Sequence, residues 1–206
     1  FNPAFYNADS VSAQQEKINQ NPHFVYLAYF APGVIKVGIS QEERGIRRLL
    51  EQGARLALKL ETFSSALIAR QYEAKIAGLD GIVETMPIHK KLELIKQPFD
   101  RADGEKKLQQ KLLEIEQKIG VSFLRSELIP CEDYFHTTGV DLTRVVPMKD
   151  QNQLAGRVRS IIGPILITEY NGQLLAYNVK KFIGYQAQTV DGAIDIEIPS
   201  TQLALF

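Results

Sequence analysis

Hydrophobic and polar positions change their period several times along this chain, and each change marks an element. Residues 24–30 form an unbroken apolar run from Phe24 to Phe30, a turn follows at Pro32 and Gly33, and residues 34–39 carry Val34, Ile35, Val37 and Ile39. That pattern predicts a β-hairpin. A helix is predicted over residues 41–52, with Ser40 as its N-cap, Glu42 and Glu43 in its first turn and Gly53 at its end. A third strand is expected within residues 57–62, and a second helix runs to residue 77 from a cap at Ser64 or Ser65, stopped by Gly78. Residues 82–95 read as partly extended. Over residues 102–119, Leu108, Leu112, Ile115 and Ile119 place one apolar stripe on a helix that Gly120 ends. The last third changes to short β-like runs at 158–162, 165–170, 174–178, 185–190 and 193–198, with turn dipeptides Asn171-Gly172 and Asp191-Gly192. The polar stretch 14–21 is a linker or a surface helix.

These elements give an α+β class. The expected division is an N-terminal extension (1–23), a mixed α/β module (24–80), a helical connecting region (81–140), a β-rich meander or small barrel (141–198) and a short tail (199–206).

Composition narrows the picture. At 206 residues with 45% hydrophobic and 23% charged positions, the chain is globular in kind. Its apolar runs are broken, as at Gly163-Pro164, well short of the ~20 residues a membrane helix needs, so no membrane partner is expected. The single cysteine, Cys131, fits a reducing cytoplasm. With 24 basic and 24 acidic residues, bulk attraction to nucleic acid is not expected and any phosphate contact requires a local patch. Cys131, Glu132, Asp133 and His136 lack the spacing of a zinc site. Tyr170, Tyr177, Phe182 and Tyr185, with Arg157, Arg159, Lys180 and Lys181 nearby, suit either a packed core or a nucleic-acid face.

Two segments carry a resemblance. Phe24-Val25-Tyr26, then Lys36-Val37-Gly38, then Arg48, then Glu73 in Ala69-Arg70-Gln71-Tyr72-Glu73 resemble the GIY-YIG nuclease superfamily. Lys36-Val37-Gly38-Ile39 with Arg48-Leu49-Leu50-Glu51-Gln52-Gly53-Ala54 is more similar still to a bacterial family, domain of unknown function 2797. The superfamily resemblance implies that Tyr26 helps to activate water, Arg48 stabilises the transition state, and Glu73 binds Mg²⁺ or Mn²⁺. Lys36 stands where the superfamily has its second tyrosine, and Phe24 where it has its first glycine. A lysine can hold a phosphate but is a poor general base unless buried. Arg44, Arg47 and Arg55 are the candidate DNA-phosphate contacts around this site. The resemblance thus implies either a metal-dependent DNA endonuclease or a nuclease-derived DNA-binding protein without catalysis. If Glu73 is a surface carboxylate, its replacement by alanine should cost only ~0.5 kcal/mol of stability.

Gln202-Leu203-Ala204-Leu205-Phe206 resembles the bacterial sliding-clamp-binding pentapeptide. In that role Leu205 and Phe206 would anchor in a hydrophobic pocket, Leu203 would add a smaller contact and Gln202 would fix register. The same alternation also suits a last β-strand packed on the domain.

Overall fold

The computed structural model describes residues 12–149, 152–186, 188–192 and 196–199. The polar stretch near its start is a surface helix, α1 (Ala13–Gln20), with no buried residue and a cap in which the Ser12 hydroxyl accepts from the Gln15 backbone amide. The apolar run that follows becomes β1 (His23–Ala31), all nine residues of which are buried. A strand apolar on both faces must sit in the middle of a covered sheet. It does: β2 (Val34–Gln41) and β3 (Leu56–Phe63) flank it, both antiparallel, in a five-stranded sheet of order β4-β2-β1-β3-β5. The edges are β4 (Ile82–Val83), parallel to β2, and β5 (Glu127–Ile129), antiparallel to β3.

Alternation along β1 sends Val25, Leu27 and Tyr29 to one face, where α3 (Ala66–Ala77) and α5 (Arg101–Ile119) close the core through Ala69, Ile76, Leu108, Leu112 and Ile115. The predicted stripe on α5 is therefore the packed one, with Ser65 and Asp100 accepting from backbone amides at the starts of α3 and α5. Phe24, Tyr26, Ala28 and Phe30 point the other way, against α2 (Gly45–Gln52), α4 (Ile88–Leu94) and a second sheet. That sheet has order β6-β9-β8-β7, built from β6 (Val146–Pro147), β7 (Arg157–Ile162), β8 (Ile165–Tyr170) and β9 (Gln173–Asn178). Ile162, Ile165, Ile167 and Ala176 join the same core as β1, so the two sheets share one hydrophobic interior. The class is α+β. No helix among the described residues is long and apolar enough to cross a membrane.

Three expectations are corrected. The helix predicted from residue 41 starts later, because β2 runs to Gln41 and a 3-10 turn, Glu42–Arg44, precedes α2. The Glu42 backbone amide donates to the Pro22 carbonyl and its carboxylate accepts from Lys59 and Thr62, which holds this stretch to the sheet. Residues 88–94 are helical rather than extended: Pro87 precedes α4, and Ile88, Lys91, Leu92 and Ile95 recur at helical spacing. The runs predicted as strands at 185–190 and 193–198 show no strand among their described residues; Ile196 and Ile198 pack on the outer face beside Leu166 and Tyr177. The Asn171-Gly172 turn does form, with φ of +48° and +75° between β8 and β9.

One close approach joins the end of α2 to the β7–β8 turn through backbone alone. Gly53, with φ +72°, ends α2, and a Cβ on Gly163, at φ +56° in the β7–β8 turn, would lie 2.6 Å from the Gly53 amide nitrogen. Gly163→Ala should therefore lower stability by about 2 kcal/mol or more, through overlap with backbone and a left-handed φ. Urea denaturation checks this; an unchanged midpoint would contradict the close approach.

Candidate functional site: a cationic cluster on the hairpin

The register of the hairpin creates the site. Tyr26 pairs with Gly38 and Ala28 with Lys36, so the side chains of Tyr26 and Lys36 share the face that packs against α2 and α4. A Cβ on Gly38 would fall 2.5 Å from the Tyr26 Cζ and hydroxyl oxygen, which means that the phenol lies flat across β2 where only glycine leaves room. Tyr26 is fully buried. Burial raises its pKa, while the Arg48 guanidinium on α2, set against the hydroxyl, acts in the opposite direction. The approach stops short of a hydrogen bond: the Tyr26 hydroxyl and the Arg48 Nε are both buried without a partner of acceptable geometry.

Lys36 is 9% exposed, with its ammonium 5.8 Å from the Tyr26 ring centre and donating to the Val37 carbonyl at 2.8 Å. Burial pulls its pKa down to about 8, against the raising influence of Glu73 and with Arg48 as an opposing cation. Glu73, from α3, is itself buried and ion-paired with Arg70 one turn earlier. The four residues singled out by the sequence, Tyr26, Lys36, Arg48 and Glu73, thus stand in electrostatic reach of one another, with Arg70 added to them.

A second lysine belongs to the cluster. Lys91 of α4 is 6% exposed and donates to the Gln52 carbonyl at the end of α2. Its pKa is also lowered to about 8, first by burial and then by Lys180, Lys36 and Arg48, all of them cations. The sequence signal for Lys91 was a lysine on the apolar stripe of Ile88, Leu92 and Ile95, visible only once that stretch is read as a helix. Lys180 comes from a 3-10 turn after β9, so both sheets contribute positive charge.

The remaining candidates scatter. Arg44 pairs with Glu51 at 2.5 Å at the start of α2, and Arg47 is exposed on the same helix. Arg55 faces inward instead: its guanidinium donates to the carbonyls of Ile95 at 2.8 Å and Gln97 at 2.9 Å and stacks on Phe99, so it caps α4. Gln202, Leu203, Leu205 and Phe206 lie outside the described residues.

This donor set does not fit a divalent cation. Magnesium is held by carboxylates together with substrate phosphates, but Glu73 is engaged by Arg70 and faces Lys36 and Arg48. No group of three or more His, Cys, Asp or Glu side chains among the described residues is placed to hold a metal ion. Converging lysine and arginine donors around unpartnered polar atoms match an anion.

Comparison with known families matches residues 7–187 to the family described as Protein of unknown function (DUF2797). The chain belongs to this family. No curated protein and no solved structure is detectably similar to it. Within this DUF2797 chain, the Gly38–Tyr26 overlap yields a direct expectation. Gly38→Ala should force the phenol off β2 and destabilise the protein by about 1–3 kcal/mol, whereas Gly38→Ala combined with Tyr26→Leu should recover part of that loss. Equal losses in the single and double variants, measured by thermal unfolding, would place the strain elsewhere.

Proposed function

We propose that this DUF2797 protein binds the phosphate backbone of DNA at the cluster of Lys36, Arg48, Arg70 and Lys91, on a GIY-YIG-like module that holds DNA rather than cutting it through a metal. The observation that carries this reading is the pair of buried lysines: the charged neighbours of Lys91 are the cations Lys180, Lys36 and Arg48, and Lys36 has Arg48 and Arg70 in reach besides Glu73 and Glu84. Burying like charges together is costly. An anion delivered between them relieves that cost, which is how a protein of zero formal net charge can still bind a polyanion. Arg47, exposed on α2, extends the positive surface outward, while Arg44 and Arg48 share the Glu51 carboxylate.

The pentapeptide Gln202 to Phe206 supports recruitment to the bacterial sliding clamp, where the bound DNA would be found. Together these make the protein a DNA-binding clamp adaptor. A hydrolytic reading is favoured by one observation, the Tyr26 hydroxyl set against Arg48 without a partner. Two measurements separate the readings. The adaptor binds a fluorescent oligonucleotide equally well in Mg²⁺ and in chelator, and cleaves no branched, nicked or duplex DNA; metal-dependent cleavage lost in Arg48→Ala would establish the nuclease instead. Calorimetric titration of a sliding clamp should show micromolar-scale binding that disappears on deletion of Leu205 and Phe206.

A further inference from the structure

The free edge of the second sheet leaves apolar side chains uncovered. β7 is the last strand of that sheet, with no strand on its other side among the described residues. Its register with β8 carries a bulge: Val158 pairs with Thr168, Ser160 with Ile167 and Ile161 with Leu166, so Arg159 is the extra residue. The bulge puts Val158 and Ile161 on the same face, opposite residues two positions apart on β8. They therefore stand ~7 Å apart, as i and i+2 do along an extended strand. Val158 is 62% and Ile161 52% exposed, whereas Ile162 of the same strand is buried in the core. Further in on that outer face, Leu166, Leu175 and Tyr177 form a packed cluster with Ile196, and Ile198 lies against it. The cover stops one strand short of the edge.

We propose that the segment Gln202 to Phe206 completes this cover, laying Leu203 and Leu205 against Val158 and Ile161 along the free edge of β7. Reach and spacing single out this occupant. Residues 200–206 follow closely on Ile198, which already sits on this face, and extended they span up to ~23 Å. Crossing from β9 to β7 takes only ~10 Å, two strand spacings. Leu203 and Leu205 are i and i+2, so an extended segment presents both to one side at the spacing of Val158 and Ile161. An edge strand also offers its outward backbone groups for pairing with an added strand. Leu205 cannot lie on β7 and in a clamp pocket at once, so docking holds the pentapeptide back from the clamp. That regulatory consequence rests on the clamp-binding reading; the docking itself does not.

Hydrogen–deuterium exchange of the full chain, followed by mass spectrometry of peptides covering residues 157–162, tests the docking against the variant Leu203→Asp/Leu205→Asp. For a segment docked about nine-tenths of the time, exchange at this edge is about tenfold slower in the unmodified protein, and its affinity for a sliding clamp is about tenfold weaker than that of the released segment. Val158→Asp/Ile161→Asp, at two exposed positions, should therefore tighten clamp binding by that factor in a calorimetric titration. Equal exchange in the unmodified and Leu203→Asp/Leu205→Asp proteins overturns the docking, whatever the clamp result. Protection that appears only as protein concentration rises assigns the edge to a second copy and overturns it as well. Protection of the edge with equal clamp affinity in the unmodified and Val158→Asp/Ile161→Asp proteins overturns the regulatory consequence. Protection with no clamp binding by either overturns the clamp reading and leaves the docking in place.

Discussion

Replacing Glu73 by alanine is expected to destabilise the protein by about 2–4 kcal/mol, because it removes the partner of a largely buried ion pair and leaves cations facing one another. Glu73 is 4% exposed and joined to Arg70, whose side chain is 19% exposed. Around them stand Lys36, for which Glu73 is the strongest compensating charge, and Arg48, which also reaches Glu51 at 3.6 Å. Glu73→Gln should recover little, since the amide restores hydrogen bonding but not charge. Reducing the repulsion should recover more: Lys36→Met in the Glu73→Ala background is expected to regain part of the lost stability. Chemical denaturation of the four proteins forms a double-mutant cycle. A loss near 0.5 kcal/mol, the value expected of a surface carboxylate, would show that Glu73 is not the electrostatic centre of the cluster.

The second large effect is on pH dependence. Lys36 and Lys91 have folded pKa values of about 8 against an ordinary value of 10.5, both depressed first by burial. Between these limits the unfolded chain holds more protons than the folded one, so the two lysines make stability rise with pH across that window. The gain is on the order of 3 kcal/mol per lysine at most. Below about pH 8 both are charged and the full cost of burying them is present. DNA binding should run the opposite way. An anion needs the charged amines, and at pH 9 only about one tenth of each remains protonated in the free protein, so affinity should fall roughly tenfold per lysine from pH 7 to pH 9. Stability and affinity moving in opposite directions are the signature; general denaturation would lower both. Anisotropy titrations and urea melts across this range measure the two quantities on the same protein.

How far the sequence reveals these features depends on the distance over which each is encoded. The hairpin, α3 with its Ser65 cap, and α5 with its stripe rest on local periodicity and turn chemistry, and they stand where residues 24–77 and 102–119 predict them. So does the convergence of Tyr26, Lys36 and Arg48, because cross-strand register follows from a short turn. Glu73 was legible by position but not by burial, since its environment is set by Arg70 and by a strand far away in sequence. Lys91 was missed together with α4, whose residues read as extended until Pro87 is recognised as standing before a helix. Arg55 looked like a surface cation because nothing local shows that the carbonyls ending α4 lie 40 residues away at Ile95. The edge strands β5 and β6 are too short to carry a period of their own, and tertiary pairing alone defines them.

The claim that the buried lysines hold DNA phosphates is tested most directly by the salt dependence of binding to single-stranded oligonucleotide, measured for the unmodified protein and for Lys36→Met/Lys91→Met. Methionine keeps the length and apolar body of each side chain and removes only the charge. The account predicts weaker binding in the double variant and a shallower salt slope, by roughly 0.7 for each lysine that neutralises a phosphate. Equal affinity and equal slope in the two proteins would contradict it.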